Sequence, residues 1–148
     1  MHTTYNIALV SLSILIAIAG SFTALDLASR SKVATGWARH AWLAAAAACM
    51  GGSIWSMHFI GMLAFGMPGM EIRYDLRLTL WSFIVPMVVT AISFFAVGIR
   101  GSKRSTLGIG GLFMGLGIGA MHYMGMAAMT MNAELSYDGL WVAISFAI

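Results

Sequence analysis

Four runs of about twenty apolar residues each, at approximately 7–27, 41–65, 78–97 and 107–131, restrict what this chain can become more than any other feature. In hydrocarbon every backbone N–H and C=O must find a partner within the protein, so a segment of that length crosses a bilayer as a helix or as part of a closed barrel. Unbroken apolar runs longer than any ordinary strand argue for helices. Composition agrees, with 60% hydrophobic residues, 9% charged residues and a mean hydropathy of +0.88, against about 25% charged in soluble domains. The expected fold is an all-α membrane protein, a multi-span helix bundle with four full transmembrane helices and the start of a fifth near Leu140. That fifth run reaches Ile148 after about a third of a span, so the chain reads as a single domain over residues 1–148 that is incomplete at its C-terminus.

The first run lacks the basic n-region of a secretory signal and is expected to be retained. Arg30, Lys32 and Arg39 fall between the first and second runs, and Arg100, Lys103 and Arg104 between the third and fourth, six of the eight basic residues in all. The positive-inside bias therefore predicts cytoplasmic placement for these two connections and an external N-terminus. The net charge of +3 is accounted for by topology, and nucleic-acid binding is not expected. Trp37, Trp42, Trp81 and Trp141 lie near run ends, where interfacial anchors belong.

Within the apolar runs, one stretch occurs twice. Residues 51–67 read GGSIWSMHFIGMLAFGM and residues 115–131 read GLGIGAMHYMGMAAMTM, aligned without a gap at an offset of 64. Gly51, Met57, His58, Gly61 and Met62 thus recur as Gly115, Met121, His122, Gly125 and Met126. Repeat units of about 1–70 and 71–134 follow, parallel and related by an axis along the membrane normal. An ionisable side chain inside a span is costly and marks a functional site by default. Both histidines come late in outward-running helices, roughly 10 Å below the outer end and at matching depth.

Helical spacing places Ala47, Gly51, Trp55, His58, Met62 and Phe65 on one stripe of the second helix. Gly111, Gly115, Gly119, His122, Met126 and Met129 form the matching stripe of the fourth, where small residues are expected to admit a close neighbour. Soft thioether sulfur beside imidazole selects copper(I), whereas zinc favours thiolate, imidazole or carboxylate and hard cations favour oxygen. Nine of the thirteen methionines fall in or beside the two repeats: Met57, Met62, Met67, Met70, Met121, Met124, Met126, Met129 and Met131. The candidate metal ligands are His58 and His122, with Met57, Met62, Met121 and Met126, and with Tyr123 as a further donor where the first copy has Phe59. Methionine also fills gaps in apolar packing, and a membrane histidine can simply hydrogen-bond across helices. Recurrence of the pair at one depth, each flanked by methionine, favours ligation for the histidines.

Other polar residues are set aside. Asp26 lies a helix length from the histidines, Cys49 lies roughly 13 Å from His58 along the helix, and His40 is expected in a solvated basic loop. His2 could reach the site from the N-terminus. With one cysteine there is neither an internal disulfide nor a paired-cysteine metal motif. No acid pair, phosphate-binding loop or nucleophile motif is present, so the chain is not expected to be an enzyme.

The two motifs, Met57-His58-Phe59-Ile60-Gly61-Met62 and Met121-His122-Tyr123-Met124-Gly125-Met126, resemble those of the MHYT domain, a bacterial integral-membrane sensory module. The opening stretch from Tyr5 to Arg30 looks like that domain's first helix, and the resemblance covers essentially the whole chain. Neither copy has threonine at the fourth position, only the second has tyrosine at the third, and a third copy would fall near position 186, beyond the sequence. The resemblance implies a sensory input domain in the bacterial inner membrane, with copper held near the outer face and O2, CO or NO as a ligand. It also implies a cytoplasmic signalling output domain, of the kind that makes or degrades cyclic di-GMP or of histidine kinase type, absent from these 148 residues. Membrane lipid is the constant partner, and homodimerisation is left open.

Two other classes compete. In a b-type haem cytochrome, His58 and His122 would be the two axial ligands. In a copper-transport or handling protein, the methionines would pass the ion inward, through Cys49, Met50 and Met114 in the other half of the bundle.

Overall fold

The computed structural model describes residues 4–66, 73–100 and 103–130. The fifth run from Leu140, and with it Trp141, His2, Met67, Met70 and Met131, lie outside the described residues. Four long helices account for nearly all of the rest: α1 over Ile7–Arg30, α2 over Gly36–Leu63, α3 over Leu76–Arg100 and α4 over Arg104–Ala128. All four are long and apolar enough to cross a membrane, and the protein is an all-α membrane helix bundle. The helices overrun the apolar runs by several residues. His40, expected in a loop, is therefore an exposed residue of the first turns of α2, with its Nδ1 3.1 Å from the Gly36 carbonyl oxygen.

Each helix start has a local cause. Asn6 caps α1, its Oδ1 accepting from the N–H groups of Ala8 and Leu9 at 3.0 and 3.3 Å. Asp75 stands in the same relation to α3, accepting from the Leu78 N–H at 2.9 Å; such caps are worth about 1 kcal/mol. The turn from α1 into α2 passes through Gly36 at φ +59°, where a side chain would be strained.

Two short β pairs close the opposite end of the bundle, and nothing in the sequence pattern announced them. In the first, β1 (Thr4–Tyr5) pairs antiparallel with β2 (Phe65–Gly66), matching Thr4 to Gly66 and Tyr5 to Phe65. In the second, β3 (Arg73–Tyr74) pairs with β4 (Met129–Thr130), matching Arg73 to Thr130 and Tyr74 to Met129. The Asn6 N–H donates to the Ala64 carbonyl at 2.9 Å and the Asp75 N–H to the Ala128 carbonyl at 2.8 Å. The start of α1 is thereby bound to the end of α2, and the start of α3 to the end of α4.

Packing runs α1 on α2, α2 on α3 and α3 on α4, with α2 and α4 meeting far less. Gly51 brings α2 against the backbone of α3: a Cβ there would lie 3.0 Å from both the Met87 Cα and the Pro86 carbonyl oxygen. Beside it the buried Thr90 hydroxyl donates to the Ala47 carbonyl across the interface at 3.0 Å and lies 2.6 Å from the Pro86 carbonyl of its own helix. The expected stripe on α2 is thus a packing face. On α4 the expectation needs correction. Gly110, Gly117, Met121, Gly125 and Ala128 are the buried residues, while nothing comes within 4 Å of a Cβ at Gly111 or Gly115. The reason is rotational. Gly111 is one residue, about 100° of helix, from Gly110, and among the described residues α4 packs extensively on α3 and only slightly on α2, whereas α2 packs extensively on both α1 and α3.

Gly51 and Gly115 are equivalent in the repeat and should therefore respond differently to the same change. Gly51→Ala is expected to lower stability by about 1–3 kcal/mol through overpacking, and Gly115→Ala to leave it unchanged or raise it by up to about 1 kcal/mol through helix propensity. Thermal melting of the two variants in detergent checks this, and equal losses would contradict the packing described.

Candidate metal centre

His58 on α2 and His122 on α4 each lie six residues before a clamped carbonyl, those of Ala64 and Ala128. They meet between the helices, with their Nδ1 atoms 3.4 Å apart and their ring centroids 4.8 Å apart at 65°. His58 is packed on Gly125: a Cβ at that position would lie 2.7 Å from Nε2. That Nε2 is buried and has no hydrogen-bond partner among the described residues, which is costly for a polar atom unless something else engages it. His122, by contrast, is exposed.

A cavity of about 360 Å³ opens beside the pair. Besides both histidines it is lined by Met57, Met62, Met126 and Met129, by Gly61 and Phe65, and by Tyr5 and Ser13. Five of the seven sequence-derived candidates, His58, His122, Met57, Met62 and Met126, therefore meet in one place. Met121 does not line the cavity; it is 1% exposed and forms part of the bundle core. Tyr123 is outside the lining as well, its ring edge-on to His122 at 5.2 Å between centroids. Its repeat partner Phe59 serves an aromatic cluster, stacked on Trp55 at 5.0 Å and tilted against Tyr74 at 5.2 Å. Among the described residues, no group of three or more histidine, cysteine or acidic side chains forms; the other heteroatoms lining the cavity are the sulfurs of Met57, Met62, Met126 and Met129 and the hydroxyls of Tyr5 and Ser13.

Tyr5 and Ser13, contributed by the start of the first helix, were missed from the sequence. Ser13 is buried, its hydroxyl donating to the Val10 carbonyl at 2.7 Å, and the Tyr5 ring leans edge-on against Phe65 at 5.6 Å. A signal was available: Tyr5, Asn6 and Ser13 have the same spacing as Tyr74, Asp75 and Ser82. Ser82 likewise is buried and donates to the carbonyl three residues back, at 2.7 Å.

The fold is that of an all-α membrane protein with four helices long enough to span and a histidine pair between two of them. Comparison with known proteins narrows this to one family. The profile of the MHYT family, described as a bacterial signalling protein N-terminal repeat, matches residues 51–110 and 115–148, and the chain belongs to this family. It is 44% identical over 146 residues to the bifunctional diguanylate cyclase/cyclic di-GMP phosphodiesterase MucR of Pseudomonas aeruginosa, covering 99% of this chain and 21% of that protein. It is 34% identical to the cyclic di-GMP phosphodiesterase NbdA of the same organism, covering 99% of this chain and 18% of the relative. With the signaling protein YkoW of Bacillus subtilis the figures are 32%, 100% and 18%. The chain thus spans about a fifth of the length of these relatives. No solved structure matches it. Family membership and the four membrane-capable helices support a membrane sensory input role for this segment.

The histidine environment makes a second glycine comparison. Gly125→Ala is expected to displace the His58 ring, because the added carbon falls 2.7 Å from Nε2, whereas Gly61→Ala meets nothing within 4 Å. In spectra of protein labelled at histidine nitrogen, the His58 resonances should move in the first variant and stay in the second. The reverse pattern would refute the packing of His58 on Gly125.

Proposed function

We propose that this chain is a sensory input domain that holds copper through His58 and His122, with sulfur from Met57, Met62 and Met126. The observation that carries the reading is the 3.4 Å between the two Nδ1 atoms. Metal–imidazole bonds are about 2.0–2.1 Å, so two nitrogens this close, which also lie within hydrogen-bond reach of each other, would both fit on one small ion. The methionines lining the cavity favour copper over haem. Thioether donors beside the pair favour copper(I) over zinc or a hard cation. Inward transport gains little support, because the Cys49 thiol is turned to α1, 3.6 Å from the Gly20 carbonyl oxygen, and is not part of the cavity.

Copper(I) bound here would supply a soft Lewis-acid centre able to take a diatomic gas such as O2, CO or NO. The chain's own residues do the rest. His58 and His122 join α2 to α4, the cavity offers room for a small ligand, and Tyr5 with Ser13 brings the first helix to the same place. Occupancy shifts the bundle between two packings only if the two bind the ligand differently. Six of the eight basic residues lie at the α1–α2 and α3–α4 ends, which supports an external N-terminus and a cytoplasmic face at those connections. The site then lies near the outer face of a bacterial inner membrane. The output is a cytoplasmic signalling domain carried beyond this segment, of the cyclic di-GMP class for which relatives are named.

Purified protein in detergent should carry near-stoichiometric copper, and His58→Ala with His122→Ala should lower it by more than about tenfold. Metal analysis alongside an absorption spectrum decides the matter. A Soret band lost in the same variant would replace copper by haem. Protein free of both would refute a cofactor role for the histidine pair.

A further inference from the structure

At the end of the bundle away from the histidines, all four helices surround a second cavity, of about 490 Å³. Its polar wall consists of Lys32 and Arg39 with the hydroxyl-bearing Ser29 and Ser31. Among the described residues no carboxylate lines it, and the one acidic residue at this end, Asp26, is held by Arg30 at 2.9 Å. Arg39 is the informative group. One guanidinium nitrogen, Nη2, donates to the Gly98 carbonyl, while Nε is buried without a hydrogen-bond partner among the described residues. A guanidinium offers five N–H donors, and a partly buried cation with an unmet donor and no counter-charge is destabilising until an anion meets it.

The opposite wall is apolar and continues. A third cavity, of about 220 Å³, shares Leu25, Phe94, Val97 and Leu107 with this one and runs on to Gly111 and Met114 of α4. A cationic pocket at the membrane boundary thus opens into an apolar trough between α1 and α4, along a helix face that Gly111 leaves open.

We infer that the two cavities together form a binding site for an anionic phospholipid, with the phosphate on Arg39 and Lys32 and an acyl chain in the trough along Leu107 and Met114. Charge selects the head: arginine forms charge-assisted, forked hydrogen bonds to phosphate oxygens, and basic pockets between spanning helices suit anionic headgroups. The trough selects the tail, since free phosphate has nothing to place beside Leu25 and Phe94. This site shares no lining residue with the histidine centre, so the inference does not depend on what that centre binds.

The test titrates the purified chain in neutral detergent with short-chain phosphatidylglycerol, short-chain phosphatidylcholine or inorganic phosphate, reading thermal melting. Phosphatidylglycerol should raise the melting temperature at concentrations where the other two do not. Arg39→Gln should weaken its apparent affinity about tenfold or more, with Arg39→Lys retaining part of it. Met114→Trp, which fills the trough and leaves the cations in place, should weaken phosphatidylglycerol alone and keeps the test decisive if Arg39→Gln fails to fold. Equal stabilisation by phosphatidylcholine, or affinity unchanged by both Arg39→Gln and Met114→Trp, would overturn the inference. Stabilisation by inorganic phosphate matching that by phosphatidylglycerol would overturn the lipid assignment in favour of a free-anion site.

Discussion

Two backbone hydrogen bonds set the level of everything at the histidine end. The Asn6 N–H on the Ala64 carbonyl and the Asp75 N–H on the Ala128 carbonyl fasten each odd-numbered helix to the even-numbered helix that follows it. Because each histidine precedes its clamped carbonyl by six residues, the clamps fix both imidazoles about 9 Å down their helices. Matching depth is then a consequence of equal spacing to a backbone anchor. α2 and α4 share only a limited contact, and it is their common packing on α3 that brings the two Nδ1 atoms within 3.4 Å of each other. The same residues cap the helices they begin, so one short segment both starts a helix and fixes its register against its partner.

What could be read from the sequence follows the length of the physical signal. A twenty-residue apolar run has one structural solution in lipid, so the four spans and the all-α bundle were legible. The histidines were legible because a polar side chain in such a run stands out and because the repeat placed two at equal positions. Their methionine neighbours were only partly so. Met57, Met62 and Met126 reach the cavity, but Met121 turns into the core although it is the exact repeat partner of Met57. The β pairs were invisible because two residues have no periodicity to detect. Tyr5 and Ser13 were overlooked because they lie in a different helix from the repeat and only the spacing they share with Tyr74 and Ser82 marks them.

The glycines show why sequence equivalence did not become structural equivalence. Gly51 and Gly115 occupy the same place in the repeat, and one is pressed against a neighbouring backbone while the other is open. The rotational setting of a helix is decided by how many neighbours bury it. Among the described residues α2 has two extensive neighbours, α1 and α3, and α4 has one, α3, beside its small contact with α2. The open face of α4 is also what leaves His122 exposed while His58 is packed away.

That asymmetry constrains how the two helix pairs are related. Had the α1–α2 and α3–α4 pairs faced each other about a twofold axis, His58 would rest on Gly125 and His122 equally on Gly61. Instead the first contact is made, a Cβ at Gly125 falling 2.7 Å from His58, and the second is not, Gly61 having nothing within 4 Å. The relation is therefore head-to-tail, a heterologous contact that uses different surfaces on its two sides. Among the described residues such a contact leaves one surface of each kind unused: the open face of α4 with His122 at one end of the succession, and Gly61 at the other. Gly61 lines the cavity beside the histidine pair, so the unused surface and the cavity coincide. The space beside the histidines is a direct product of the non-twofold packing of two related sequences.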